Sequence, residues 1–597
     1  QTPSPPTRPT SSLSMLDRAG RGAPVPPPEP MPLPEHRLRL PMRDGIRLDT
    51  NVWLPAQGAG PAPAILLRTP YKESTLGFKR LGVLRYVESG YAVVIQQIRG
   101  VGRSEGRFAF NAPHERSDGH DTVEWIAAQP WCSGAVGMDG SSYAAMTQIA
   151  AALAHPPHLK CIVPAVPSLD FFREPPYCGG IFSRMHTLNW ARLVQIDTLN
   201  DLGAGFMGTL PLISDPANFA RMTSRPLMQA AEGFLEGDYL QHYLDALAHS
   251  CLDDWWRART CSAAELASID IPALVVTGNF DFSIGALALW RGVAQDGRSE
   301  HGPERRLLIG PWDHGQCYAG GAPSHGPYTM GEHSVVDLGA LRLAFFDEHL
   351  KGVCPSTPSE GPVRVFTTGS NTWHRFDHFP PREAQPRIWH LASRGRANSA
   401  RGDGRLLPAP DHAQVEPDRF VDDPSLPFVA GVALASEPGS FFDLREREQH
   451  HETLVYDSGP LAEPLTLLGE GVADLHVAVD APDADVTLWL AEHRRDGATV
   501  RLAFGQLRLR YHEGFHAERL LVPGEPVAVR IPITYVAHTL PAGSRLRLLV
   551  GGNNFPLADP NPHTGESVAT ATAWRRAVQT VFHDPQRPSR LTWPVLP

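Results

Sequence analysis

Lysine is nearly missing from this 597-residue chain: only Lys72, Lys79, Lys160 and Lys351 occur, and the other basic residues are arginine. Acidic residues outnumber basic ones by 64 to 54, for a net charge of −10. Such a chain has no basic excess to draw in a polyanion, which sets aside nucleic acid and anionic membrane as main partners. Cysteine is sparse as well. The seven cysteines are scattered, odd in number and never spaced C-x-x-C. That excludes a disulfide framework or a cysteine zinc site as the organising device, and most of them are expected to be small buried hydrophobes. No apolar run approaches the ~18 residues that span a bilayer. The start shows no charged-then-apolar secretory pattern, so a cytoplasmic location is the expectation. What is present is ordinary for a globular protein, with 42% hydrophobic and 20% charged residues. The length exceeds what one core serves, and two to four domains are expected.

The most informative segment is Gly140-Ser141-Ser142-Tyr143-Ala144-Ala145. A short apolar strand, Ala135–Met138, leads into it, and the helix-forming run Met146–Ala154 follows. A strand that turns sharply into a helix holds its apex residue in a strained conformation, and small neighbours make this tolerable. Ser142 is at the apex. The first amides of the helix point back toward it, where they suit a developing oxyanion. The same segment also reads as a Ser/Gly turn without chemistry. A serine hydroxyl needs a base and a group to orient that base. Ala273–Thr277 reads as a buried strand ending in Gly278-Asn279-Phe280-Asp281, and Leu307–Ile309 as the next, ending in Gly310-Pro311-Trp312-Asp313-His314. His314 is the candidate base and Asp281 the candidate orienter, in the chain order Ser, acid, His. Asp281 equally suits a cap of the helix that follows, and Asp313 is a rival acid beside His314.

Several separated motifs then resemble one family, the CocE/NonD serine hydrolases that include cocaine esterase, α-amino-acid ester hydrolases and X-Pro dipeptidyl-peptidases. Arg68-Thr69-Pro70-Tyr71 is similar to its R-x-P-Y segment. Ile98-Arg99-Gly100-Val101-Gly102-Arg103-Ser104-Glu105-Gly106 is similar to its R-G-x-G-x-S-E-G segment, and Asp118-Gly119-His120-Asp121-Thr122 to its D-G-x-D-T run. The resemblance implies a second oxyanion donor, the Tyr71 hydroxyl, beside the Tyr143 backbone N–H. It also implies that Trp190 lines an acyl pocket, although a plain core tryptophan fits that position equally. Phe280 and Phe282 are the other candidate lining residues. Three positions depart from the family pattern: Gln97 for an acid, Ala145 for a glycine, and Asp139 three residues before the nucleophile, which has no account from sequence.

The expected architecture is an α/β-hydrolase core with a helical cap insertion, followed by a C-terminal β domain that the resemblance makes a jelly roll. The expected divisions are a Pro-rich lead over 1–33, core over 36–168, cap over 169–262, core again over 263–355, and β-sandwich over 359–597. His450-His451-Glu452 reads against a metal site, since adjacent histidines alternate faces on a strand, and Asp480, Asp483 and Asp485 lack an EF-hand pattern and read as a solvated turn. The expected activity is hydrolysis of an acyl ester or amide through an acyl-enzyme, with no cofactor, no metal and a small-molecule ester or amide substrate. Amidase, peptide deacylase and acyltransferase chemistry use the same parts. A binder built on the β domain is the reading from another class. The sequence leaves the oligomeric state open; a homodimer is one option, since large members of the resembled family often dimerise.

Overall fold

The computed structural model describes residues 33–56, 60–71, 77–199, 216–281, 284–294, 304–353, 361–411, 416–427 and 443–597. The Pro-rich lead, apart from Leu33, lies outside them.

The apolar runs form a ten-stranded mixed sheet: β1 (His36–Pro41), β2 (Arg47–Trp53), β3 (Ala62–Thr69), β4 (Ala92–Gln97), β5 (Cys132–Ser141), β6 (Leu159–Ala165), β7 (Ala273–Gly278), β8 (Arg305–Gly310), β9 (Val363–Thr367) and β10 (Thr372–Phe376), in the order β1-β2-β4-β3-β5-β6-β7-β8-β9-β10. From β4 to β9 all neighbours are parallel. Every residue of β4 and β7 is buried, as expected of parallel strands covered on both faces. Helices α1 (Gly77–Glu88), α2 (His114–Ala127) and α3 (Tyr143–Leu153) follow β3, β4 and β5. The cap contributes α4 (Arg184–Leu199), α5 (Pro216–Thr223), α6 (Gly237–Ala248) and α7 (Asp254–Arg257). Then come α8 (Ala263–Ser268), α9 (Gly285–Ala294), α10 (Gln316–Ala319) and α11 (Leu338–Lys351).

Two expectations change. Val363–Thr367 was assigned to the β-sandwich, but it pairs in parallel with β8 and carries β10 with it. Val363, Val365 and Phe366 are buried, so this strand covers an edge that would otherwise be open. The cap is also not wholly helical, because Tyr177–Cys178 and Ile181–Phe182 form a short ribbon. Its turn glycine Gly179 has φ +61°, and a Cβ there would lie 1.9 Å from the Gln506 carbonyl oxygen of the β domain. That close approach explains the paired glycines ahead of Trp190.

The C-terminal domain is an eleven-stranded, almost wholly antiparallel β structure. Its long strand Leu465–Val479 pairs with Val527–Leu540, Ala577–Phe582 and Arg590–Leu596. Asp483 and Asp485 are not a solvated turn, as read from the sequence. Both are fully buried and paired to Arg510 and Arg508 at 2.7 and 2.8 Å. A buried carboxylate needs such a partner.

The motif residues also bond to one another. Arg99 grips Asp118 through two hydrogen bonds of 2.7 and 2.6 Å and reaches Asp44 at 2.6 Å. The fully buried Arg68 pairs with Glu115 at 2.8 Å and donates to Gln96 at 2.8 Å. Gly119 lies where α2 meets α3, and a Cβ there would come within 2.6 Å of the Ala151 Cβ. The R-x-P-Y, R-G-x-G and D-G-x-D-T segments thus form one buried brace behind the elbow.

Candidate active site

Ser142 caps the start of α3 at φ 59°, ψ −123°, a left-handed conformation that costs a non-glycine residue energy and persists only where the surroundings impose it. The surroundings are visible. Ser142 N–H donates to the Ala165 carbonyl at 2.8 Å, and its own carbonyl accepts from Ala145 and Met146. Gly140, at φ +146°, has no room for a side chain, since a Cβ would meet the Ala144 Cβ at 2.5 Å. Tyr143 opens α3, so its N–H is among the first-turn donors that have no acceptor within the helix.

Asp139 has a clear role here. Its buried carboxylate accepts from the Tyr86 hydroxyl at 2.7 Å and from Gly140 N–H at 2.8 Å, with Arg342 at 3.6 Å. Arg342, from α11, also donates to Ser141 Oγ and to the Cys317 carbonyl, each at 3.4 Å. The departure from the family pattern is an anchor behind the elbow.

Asp281 and His314 follow the adjacent strands β7 and β8, and their loops are laced together by main chain. Asn279 N–H donates to the Gly310 carbonyl at 2.8 Å, and Phe280 N–H to the Trp312 carbonyl at 2.9 Å. Gly278 and Gly310 end the two strands because the buried Trp312 leaves no space for a Cβ at either. Across this lacing His314 Nδ1 lies 2.9 Å from Asp281 Oδ1. An imidazole engaged through Nδ1 presents Nε2 on its other side. The rival carboxylate faces elsewhere: Asp313 Oδ1 accepts Gln316 N–H at 2.7 Å, and its Oδ2 lies 3.7 Å from His325. Asn279 was not singled out by sequence. Its side chain exchanges two 2.8 Å hydrogen bonds with the backbone of Ala537 in the β domain, tying the acid loop to a second domain.

Tyr71 follows β3 and is buried. The Trp190 indole N–H donates to its hydroxyl at 2.9 Å. An indole can only donate, so the tyrosine accepts there and keeps its own O–H for another acceptor. Burial pushes the Tyr71 pKa up to about 12, and the hydroxyl remains a neutral donor at ordinary pH. Trp190 also stacks on the Tyr143 ring, with centroids 5.8 Å apart and planes at 9°, and meets Phe110 edge-on at 5.2 Å. Phe108 lies 6.0 Å from Trp190, and His242 of α6 stacks on Phe110 at 5.4 Å. The two phenylalanines follow the S-E-G motif and were not singled out by sequence; both belong to the aromatic cluster packed around Trp190.

Phe280 is not brought together with Trp190. It stacks on His325 and Tyr328 in a separate buried cluster with Met330, Phe366 and Val500, while its backbone N–H is held by the Trp312 carbonyl. Phe282 lies outside the described residues. Among the described residues, Glu304, Glu348 and His349 are spaced to hold a metal, but Arg306 already lies across both carboxylates, at 2.5 and 2.7 Å.

Glu174 joins the two halves of the core. It accepts from the N–H groups of Leu169 (2.9 Å) and Asp170 (3.1 Å) at the start of the cap, and from Gly285 (3.2 Å) at the start of α9. Burial pushes its pKa up to about 8 against the pull of those bonds. A carboxyl whose folded pKa exceeds its unfolded value adds stability at low pH and loses it as pH rises through the folded value. Glu174→Gln loses the Gly285 bond. It is therefore expected to melt below wild type at pH 5, with the gap closing toward pH 8, in thermal melts across that range.

Two family models match the chain, X-Pro dipeptidyl-peptidase (S15 family) over residues 44–316 and X-Pro dipeptidyl-peptidase C-terminal non-catalytic domain over residues 357–592. The chain thus carries an S15-type catalytic domain and the C-terminal domain that goes with it, and it is similar to the CocE/NonD serine hydrolases. Cocaine esterase from Rhodococcus sp. is 29% identical over 576 residues, covering 93% of this chain and 97% of that one. A putative serine esterase from Mycobacterium bovis is 26% identical over 583 residues, covering 86% and 89%. An aminopeptidase structure from a marine sediment Thaumarchaeota archaeon superposes with a TM-score of 0.81 at 25% identity, covering 97% and 99%. The α/β-hydrolase core and separate C-terminal β domain are the arrangement of this family, and the chain is a hydrolase acting on esters or amides.

Proposed function

We propose that Ser142, His314 and Asp281 act as nucleophile, base and orienter, with the Tyr71 hydroxyl and Tyr143 N–H as the oxyanion hole, in an esterase that prefers apolar or aromatic acyl groups. The observation that carries this reading is the 2.9 Å contact between His314 Nδ1 and Asp281 Oδ1 across two cross-bonded loops, at the same sheet edge as the strained Ser142. In this mechanism His314 takes the Ser142 proton as Oγ attacks the carbonyl carbon, and the two donors stabilise the oxyanion. Collapse expels the leaving group, which takes the proton from His314. Water, deprotonated by His314, then attacks the acyl-enzyme, and the proton returns to Oγ. The aromatic cluster of Phe108, Phe110, Tyr143 and Trp190 supports the acyl preference, since through the Trp190 indole it reaches the Tyr71 hydroxyl.

A fluorophosphonate probe followed by peptide mapping tests the nucleophile. The expected result is a single adduct on Ser142, and an adduct elsewhere overturns the reading. A panel of p-nitrophenyl esters and anilides of graded acyl size is expected to favour benzoyl or phenylacetyl esters. Faster turnover of anilides carrying a free α-amino group would transfer the assignment to peptide cleavage. Turnover that depends on an added amine or alcohol would transfer it to acyl transfer.

Tyr71→Phe removes one oxyanion donor and keeps the ring. It is expected to lower kcat by about 10²–10³-fold with KM within a few-fold, because the donor acts on charge that develops only in the transition state. Steady-state kinetics on the preferred ester checks this.

A further inference from the structure

Tyr318 takes no part in the chemistry described so far, yet it stands at its centre. It lies on α10, four residues after His314, and α10 is held at several points. Asp313 caps its first turn, and Cys317 N–H donates to the Asp313 carbonyl at 3.1 Å. Gly320 closes the last turn at φ +100°, where a Cβ would lie 1.7 Å from the Val336 carbonyl oxygen. Arg342, the residue that anchors Asp139, also holds the Cys317 carbonyl. The phenol ring so positioned meets the His314 imidazole edge-on, with centroids 6.0 Å apart and planes at 67°. That places its hydroxyl beside the triad, within reach of the Ser142 side chain and near enough to Tyr71 and Asp281 to feel both. Burial first, then Tyr71, raises its pKa well above the ordinary phenol value, so it is a neutral hydroxyl at any working pH.

We propose that Tyr318 is a further catalytic residue, whose hydroxyl donates to Ser142 Oγ and thereby turns the serine proton toward His314. The inference rests on Ser142 being the nucleophile. A serine hydroxyl has one proton and two lone pairs. Were Ser142 to donate to Tyr318, the base would lose its proton partner. With its single proton directed to His314, Oγ is left with two lone pairs, and the Tyr318 O–H is placed to donate to one of them. No proton leaves Tyr318 at any step. In acylation the Ser142 proton goes to His314 and on to the leaving group. In deacylation the bond from water oxygen to the acyl carbon forms, the bond from that carbon to Oγ breaks, and the proton taken from water by His314 passes to Oγ. A donor on Oγ steadies that oxygen while it departs, so the hydroxyl matters most in deacylation.

Tyr318→Phe removes the hydroxyl alone. With a p-nitrophenyl ester, kcat per fluorophosphonate-titrated site is expected to fall about 10–100-fold, the range of a hydrogen bond to a group gaining charge. KM should be equal or lower, and the pre-steady-state burst should rise toward one product per site. Titrating the sites keeps a partly unfolded preparation from imitating the effect. The adduct on Ser142 should still form, more slowly. Wild-type kcat and burst in the titrated variant would reduce Tyr318 to a packing residue and overturn the proposal. A Ser142→Ala protein that still labels at the active site would overturn the nucleophile assignment itself, and Tyr318's role with it.

Discussion

Ser142→Ala is expected to lower ester turnover by about 10⁴–10⁶-fold and to abolish fluorophosphonate labelling, while leaving the fold intact. The size of the loss follows from how the parts depend on one another. In the proposed mechanism His314 and Asp281 act on the serine proton and have nothing to activate without Oγ, so removing the nucleophile alone forfeits nearly all that the three residues supply together. What survives is the oxyanion hole and substrate binding, which still outpace water by about 10³–10⁴-fold. Stability should change little or improve. The residue sits at φ 59° whether it is serine or alanine, and the elbow is held by the Ser142 backbone bonds to Ala165, Ala145 and Met146, none of which involves the side chain. Thermal melting beside active-site titration separates the two effects. A variant with wild-type melting and turnover down less than tenfold would remove Ser142 from the mechanism.

The elements that were legible in the sequence are those whose signal is local. Ser142 is marked by small residues around a strand-to-helix turn, and Asp281 and His314 by the ends of apolar strands, because a buried parallel strand must be a continuous hydrophobic run. The structure gives those strand ends a common edge and adds what no local pattern carries. Val363–Thr367 has the same composition as a sandwich strand, and only its parallel pairing with β8 assigns it to the hydrolase sheet. Phe280 and Phe110 are both loop aromatics in the sequence. One stacks on Tyr328 and the other meets Trp190 edge-on, a distinction that depends on tertiary packing and leaves no local pattern. Asp483 and Asp485 looked like surface carboxylates because their partners, Arg510 and Arg508, arrive from a strand end more than twenty residues away. Tyr318 was missed for a related reason. Its link to Ser142 spans the fold and depends on the turn that Gly320 and Arg342 impose on α10.

Asp281→Asn is the second large effect, expected at about 10⁴-fold in kcat, and its contrast with Asp313→Asn decides which carboxylate serves the base. His314 Nδ1 faces Asp281 Oδ1 at 2.9 Å. With a carboxylate there, Nδ1 carries the proton and Nε2 stays unprotonated, the form the proposed mechanism needs to accept a proton from Ser142. An asparagine can present its N–H₂ to the same nitrogen and so favour the opposite tautomer, in which Nε2 is already protonated and cannot act as a base. It also removes the negative charge that stabilises the imidazolium as it forms. Asp313 is adjacent in sequence, but its oxygens serve the Gln316 amide and His325. Asp313→Asn keeps an oxygen to cap that turn and is expected to hold kcat within a few-fold. The measurements are kcat for both variants on one ester, with the pH profile recorded for each. Comparable losses in the two would mean that the 2.9 Å contact does not carry the function assigned to it. A large loss confined to Asp281→Asn, with Ser142 still labelled slowly by the fluorophosphonate, is the outcome that the laced loops and the capped α10 lead one to expect.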